Sequence, residues 1–148
     1  DVLGIDVKLS SVEAKVYWAQ LDTADMPQIS RMGWGAVYFD ADYFIKAAFK
    51  SGGMNNEVDA NGNPSGGVRW KNAEFDKLCT DADKMADRKA ADAKYMQAAN
   101  ILQLETPVAF LFNRIVARLV RPQITGYKYT PLENFFGQSA LYEMKLAR

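Results

Sequence analysis

Four stretches of the chain carry apolar residues at helical spacing, and this pattern predicts helices over residues 12–21, 40–50, 73–86 and 88–104. Asn72 and Asp87 precede the last two helices and are typical N-cap residues, as Ser10 or Ser11 is for the first. The short connection between the last two helices predicts an α-hairpin. Its inward face is expected to consist of Phe75, Leu78, Met85, Ala99 and Leu102.

Shorter stretches have the patterns of strands. Residues 4–9 alternate apolar and polar side chains, and residues 108–113 include a continuous apolar run. Residues 28–33 are predicted to form a short buried strand. A closing strand is predicted over residues 141–146. Strands and helices alternating in this way predict an α/β fold, a small mixed sheet covered by helices.

A long segment without hydrophobic periodicity, residues 51–67, separates the second and third helices and is predicted to be a surface loop. Asp59, Asn61 and Asn63 have the spacing of the first ligands of a calcium loop. However, Pro64 and Trp70 stand where such a loop has its glycine and its final glutamate. The favoured interpretation is a turn built by Asn and Gly, with a calcium site as the alternative.

Composition restricts the function classes. The 18 basic and 18 acidic residues cancel, so no field of one sign indicates nucleic acid as a partner. The chain has no histidine and one cysteine, Cys79, which rules out a zinc site of Cys and His ligands and a Cys–His dyad. Cys79 falls on an apolar helical face and is interpreted as a small buried hydrophobe, with a catalytic thiol as the alternative. Neither an enzyme nor a cofactor is predicted.

A Gly-Trp-Gly turn lies between the second predicted strand and the second predicted helix. In α/β proteins, ligands bind where strand ends lead into helices. Trp34 is therefore either one side of a binding wall or a side chain that fills the core.

This stretch resembles the segment GW-x-A-D-Y-x-D/E-x-x-x-F of the family 5 extracellular solute-binding proteins, the oligopeptide-, dipeptide- and nickel-binding components of ABC importers. Five further pieces match that family in order, at residues 3–9, 72–78, 88–104, 105–110 and 117–127. One departure is Val37, which stands where the oligopeptide binders have an aspartate. The matching positions of the first segment are Gly33, Trp34, Gly35, Ala36, Val37, Tyr38, Asp40 and Phe44.

The resemblance implies a fragment of a two-lobed protein with the type II periplasmic-binding fold. Residues 1–117 would belong to its C-terminal lobe, and residues 118–148 would return to the N-terminal lobe. Such a protein captures a peptide or similar small solute between its lobes and delivers it to permease subunits in the membrane. It is periplasmic or extracellular, and some members are held at the membrane by a lipid anchor. The implied cleft wall consists of Trp34, Gly35, Ala36, Val37 and Tyr38, with a second contribution from Phe112, Asn113 and Arg114.

Several expectations about ligand and partners follow. Val37 offers no acceptor for an ammonium group, so the solute is expected to bind in another register or to lack a free N-terminus, as an oligosaccharide does. A protein-interaction domain without a small ligand is the remaining alternative. Arg114, Arg118 and Arg121 are expected to form surface or inter-lobe ion pairs rather than an anion clamp. The isolated chain is expected to bind weakly and to self-associate through its C-terminal segment.

Overall fold

The computed structural model describes residues 4–23, 26–35, 37–63, 65–113, 115, 117, 119–128 and 143–146. The elements in chain order are α1 (Ala14–Leu21), α2 (Ala41–Phe49), α3 (Ala73–Asp83), α4 (Arg88–Glu105), β1 (Ile124–Thr125) and β2 (Lys145–Leu146). All four predicted helices are therefore confirmed, with boundaries that differ by one to three residues. No helix in this described part is both long and apolar enough to cross a bilayer.

Side-chain caps explain where α3 and α4 begin. Asn72 accepts a hydrogen bond from the Phe75 amide at 2.9 Å, and Asp87 accepts one from the Lys89 amide at 3.0 Å. Both predicted caps are confirmed. Helix α1 begins instead after Glu13, whose side chain makes no cap hydrogen bond, so the prediction of Ser10 or Ser11 as N-cap is wrong.

The hydrophobic core lies between α3 and α4. Phe75 and Leu102 are buried as predicted, and Leu78 packs against the core from its edge. Met85 is 36% exposed because α3 ends at Asp83 and no longer directs that side chain inward. The buried cluster consists of Phe75, Cys79, Ala82, Ala91, Tyr95, Ala98 and Leu102.

Helix α2 packs against this hairpin through Ile45 and Phe49. The predicted hairpin is thus present, but it covers a third helix rather than a sheet.

A single buried side chain organises the loop between α2 and α3. Asn56 is 0% exposed, and its amide nitrogen donates to the carbonyls of Phe49 at 2.7 Å and Trp70 at 2.6 Å. Its carbonyl oxygen accepts from the Trp70 amide at 3.1 Å. Because Phe49 ends α2 and Trp70 precedes α3, Asn56 holds the two ends of the loop together.

The loop also approaches the end of α2 so closely that Gly53 has no room for a side chain. A Cβ added at Gly53 would lie 2.7 Å from the carbonyl oxygen of Ala47. The Met54 amide donates to that same oxygen at 2.7 Å, which satisfies a carbonyl of the last helical turn. The predicted surface loop is therefore fixed to the helices at its first turn.

The Asp59 segment has the geometry of a local turn. One carboxylate oxygen of Asp59 accepts from the amides of Asn61 and Asn63, both at 2.8 Å. The Asn63 side chain donates to the other oxygen at 3.2 Å. These bonds favour the predicted Asn and Gly turn over the calcium alternative.

The predicted strands at residues 4–9, 28–33 and 108–113 are wrong for this structure, since none of these segments forms a strand. The ladder among the described residues is antiparallel and pairs Ile124 with Leu146 and Thr125 with Lys145. β2 lies within the predicted closing strand, of which Leu141 and Tyr142 lie outside the described residues. The described sheet is thus a two-stranded ladder and not a small mixed sheet covered by helices.

The physical reason is that a strand needs a neighbour, whereas a helix satisfies its own backbone. Alternating apolar residues favour an extended chain, but the N–H and C=O groups are paired only across a ladder. Without partners, the apolar side chains of these segments stay uncovered, and Leu9, for example, is 96% exposed.

Candidate ligand-binding wall

Trp34 is held against helix α2 by two contacts with the same residue. Its indole nitrogen donates to the Tyr43 carbonyl at 3.0 Å, and its ring stacks on the Tyr43 ring with centroids 5.3 Å apart and planes inclined by 23°. Tyr43 is buried, while Trp34 keeps an intermediate exposure. The Trp34 ring is therefore packed and oriented but still presents part of its surface to solvent.

Tyr38 contacts the same buried ring. The Tyr38 and Tyr43 centroids are 4.9 Å apart at an interplanar angle of 65°, an edge-to-face contact. The Tyr38 hydroxyl donates to Oδ2 of Asp42 at 2.9 Å, and the residue is 45% exposed. Trp34, Tyr38 and Tyr43 together form a surface that we call the aromatic wall.

Charged side chains join the aromatic wall to the α3–α4 hairpin. Lys46 Nζ lies 3.6 Å from Oδ2 of Asp42 and 2.9 Å from Oδ1 of Asp83. The Tyr95 hydroxyl donates to the same Asp83 oxygen at 2.8 Å. A continuous chain of contacts therefore runs from Tyr38 through α2 to α4.

The pKa values of this chain follow from its contacts. Partial burial raises the pKa of the Asp83 carboxyl, but the hydrogen bonds from Lys46 and Tyr95 outweigh it and hold the pKa below its ordinary value. Burial lowers the pKa of Lys46, and its contacts with Asp83 and Asp42 more than reverse that, leaving the pKa raised. The hydrogen bond to Asp42 raises the pKa of Tyr38. Near neutral pH, Lys46 and Asp83 are therefore a charged pair.

The lowered pKa of Asp83 predicts a specific pH dependence. A carboxyl whose pKa is depressed by folding stabilises the native state above its ordinary pKa of 3.8, and this stabilisation is lost as the pH falls through the folded value. We expect Asp83→Asn to be less stable than the parent at pH 7, with the difference shrinking towards pH 3. Urea unfolding of both proteins at the two pH values measures it, and a difference that grows on acidification would contradict the assignment.

The other predicted site residues fall into two groups. Gly35 and Val37 lie in the same segment with intermediate exposure, and Ala36 lies outside the described residues. Phe112 is 69% exposed, Asn113 is exposed, and Arg114 lies outside the described residues.

Residues 108–113 contact α2 elsewhere. The Phe110 ring meets the Phe49 ring edge-on, with centroids 6.1 Å apart. In the part of the chain that the structure describes, no hydrogen bond or ring contact joins Phe112 or Asn113 to Trp34 or Tyr38. The structure thus assembles the Trp34 part of the predicted site and leaves its second part separate.

Three residues of the site were missed by the sequence-based prediction. These are Tyr43, Asp42 and Lys46, all from α2. The one available indication was the spacing of Asp42 and Lys46, which places opposite charges one helical turn apart.

The alternative of a catalytic thiol at Cys79 loses support. Cys79 is fully buried, and burial raises the pKa of its thiol to about 12, so it stays protonated as a structural hydrophobe does.

Arg121 is exposed at an open depression of about 640 Å³ that Gln123, Ile124 and Leu146 also line. It pairs with no described carboxylate, so a surface ion pair is not seen there, and the inter-lobe pair stays a prediction. Arg114 and Arg118 lie outside the described residues.

Comparison with known proteins finds relatives that match most of the chain. The chain is 30% identical over 132 residues to the probable deoxycholate-binding periplasmic protein YgiS of Escherichia coli K12, a match over 89% of the chain and 22% of that relative. It is 28% identical over 146 residues to the periplasmic oligopeptide-binding protein OppA of Salmonella typhimurium, over 97% of the chain and 24% of that relative. The dipeptide-binding protein DppE of Bacillus subtilis matches at 27% identity over 88% of the chain and 22% of its own length. Over most of its length the chain is therefore similar to periplasmic oligopeptide- and dipeptide-binding proteins.

The chain spans less than a quarter of the length of these curated relatives. Their names describe binding proteins rather than enzymes, and several of them are named as periplasmic. No family model matches the chain, and no solved structure matches it.

Proposed function

We propose that this chain is part of a periplasmic solute-binding protein that captures a small solute and delivers it to the permease of an ABC importer. The observation that carries the proposal is the aromatic wall, in which Trp34 and Tyr38 are locked onto a buried ring and keep exposed surface. Binding sites for small molecules combine apolar and aromatic faces with a few fixed polar groups, and the wall has this composition. The similarity to named oligopeptide-binding proteins supports the same class.

In this proposal the chain supplies one side of the binding cleft. Residues 1–117 belong to the C-terminal lobe and residues 118–148 return to the other lobe. Phe112, Asn113 and Arg114 contribute to the cleft once the rest of the protein covers residues 108–113. The exposure of Phe112 and Leu119 is in keeping with such cover, and in the isolated chain it favours self-association.

The chemistry of the wall favours a solute without a free ammonium group. The side chain of Val37 carries neither a charge nor a hydrogen-bond acceptor. The neighbouring carboxylate, Asp42, uses Oδ2 for Tyr38 and Lys46, while its Oδ1 is buried from solvent. A flat aromatic face suits a peptide side chain, a sugar ring or a fused-ring steroid. A non-peptide solute is therefore the second candidate, and the relative named for deoxycholate supports it.

Calorimetry on the longer protein that carries this chain tests the proposal. The probes are the tripeptide alanyl-phenylalanyl-alanine, its N-acetylated form, maltotriose and deoxycholate. We expect at least one of them to bind, and Trp34→Ala to weaken that binding by about tenfold or more, since aromatic anchors often carry over 1 kcal/mol. Acetylation of the tripeptide is expected to leave its affinity unchanged.

Trp18→Ala is the matched control, because Trp18 lies on α1 with half of its surface exposed. Equal losses for both tryptophan variants would contradict a wall at Trp34. Loss of tripeptide binding on acetylation would contradict the inference drawn from Val37.

A further inference from the structure

Lys46 connects the carboxylate beneath Tyr38 to the end of α3. Lys46 projects from α2 between Asp42, which accepts the Tyr38 hydroxyl, and Asp83 at the end of α3. Lys46 and Asp42 are largely shielded, with side-chain exposures of 28% and 21%. Asp83 is further fixed from α4 by the Tyr95 hydroxyl.

The surroundings of Asp42 make this lysine hard to replace. Oδ1 of Asp42 is buried without a hydrogen-bond partner, so one half of the carboxylate has no polar compensation. Lys46 is the cation that pairs with Asp42 and with Asp83 among the ion pairs of the described residues. Without it, two carboxylates that now share one ammonium would be left unpaired, and Asp42 would gain by turning towards water.

Removal of Lys46 would also affect the position of Tyr38. Its phenol ring has two fixed points, the edge contact with Tyr43 and the hydrogen bond to Asp42. If Asp42 turns away, the second fixed point is lost and the exposed ring is free to take other rotamers.

We propose that Lys46 is a positioning residue of the aromatic wall, which holds Asp42, and through it Tyr38, against the α3–α4 hairpin. It acts without touching the solute. Its effect on binding rests on the proposed function, whereas its effect on Tyr38 does not.

The first test is a spectroscopic measurement on the 148-residue chain with carbon-13-labelled tyrosine, in which Tyr38→Phe assigns the Tyr38 ring resonances. The edge contact with Tyr43 shifts these resonances by its ring current. We expect Lys46→Met to move them towards the positions of a solvent-exposed tyrosine, and Lys46→Arg to restore them at least in part. Asp42→Asn should move the Tyr38 resonances as well, and it is the test variant if Lys46→Met folds poorly.

Lys77→Met is the matched control, since Lys77 forms the same kind of one-turn ion pair with Asp81 and is 74% exposed. Unchanged Tyr38 resonances in both Lys46→Met and Asp42→Asn would overturn the proposal. An equal shift in Lys77→Met would overturn it too, because the effect would then reflect general loss of stability.

The second test is a double-mutant cycle in the longer protein, measured with whichever of the four probes the parent protein binds most tightly. Lys46→Met and Tyr38→Phe are each expected to weaken binding about threefold to tenfold, and the double variant no more than the stronger single one. Such non-additivity means that the two residues act as one unit. If the losses of affinity in the two single variants multiply in the double variant, the proposal is overturned. If the parent protein binds none of the probes, the proposed function fails, and the resonances of Tyr38 still decide whether Lys46 positions it.

Discussion

Replacing Phe75 by alanine is expected to lower the free energy of unfolding by about 3–5 kcal/mol, the usual cost of removing a buried aromatic side chain. Phe75 is 0% exposed and lies at the centre of the cluster between α3 and α4. Its ring also meets the Trp70 ring edge-on, with centroids 5.0 Å apart. Since small domains are stable by only ~5–15 kcal/mol, this loss is a large part of the total.

Urea unfolding followed by circular dichroism measures the effect. Met96→Ala is the control, because Met96 lies in α4 but is 63% exposed, and its truncation should cost about 0.5 kcal/mol or less. A loss below about 1 kcal/mol for Phe75→Ala would mean that the centre of the core lies elsewhere.

Asn56→Ala is expected to cost about 2–4 kcal/mol, although it removes only a small polar side chain from a loop. Three backbone groups that bond to this buried side chain lose their partner at once, namely the carbonyls of Phe49 and Trp70 and the Trp70 amide. Each unsatisfied buried group costs ~1–3 kcal/mol, with partial relief from water entering the space. Asn56→Asp should be similarly harmful, because a carboxylate would face two carbonyl oxygens.

The same urea experiment measures the stability, and hydrogen exchange at the Trp70 amide reports the local effect, which should be a marked loss of protection. Asn61→Ala is the matched control, since Asn61 is exposed in the same loop and its side chain takes part in none of these bonds. If the two variants were equally stable, Asn56 would not be what holds the loop.

The hydrophobic pattern predicted the helices because helix formation is a local event. Each turn of α3 and α4 closes its own backbone hydrogen bonds, and Asn72 and Asp87 cap them from within the same segment. The buried face follows from the same periodicity, so Phe75 and Leu102 could be assigned to the core in advance. The error at Met85 arose from placing the end of α3 three residues too late.

The candidate site was predictable only where it is continuous in sequence. The segment from Trp34 to Tyr38 carries a recognisable pattern, and both of these aromatic side chains contact the Tyr43 ring. Its anchors come from other elements: Tyr43 and Lys46 from α2, Asp83 from α3 and Tyr95 from α4. Such contacts depend on how the helices pack, which no local pattern specifies.

By itself, the sequence determined the four helices, the caps of α3 and α4, the burial of Phe75 and Leu102, and the similarity to oligopeptide-binding proteins. All of these depend on residues close together along the chain. Tertiary structure alone decided that Asn56 is buried and that Lys46 stands between two carboxylates. It also decided that residues 4–9, 28–33 and 108–113 are not strands here, because pairing needs a neighbour that alternation cannot supply. A helix forms its hydrogen bonds within one segment, whereas ladders, buried amides and charge networks exist only when distant segments meet.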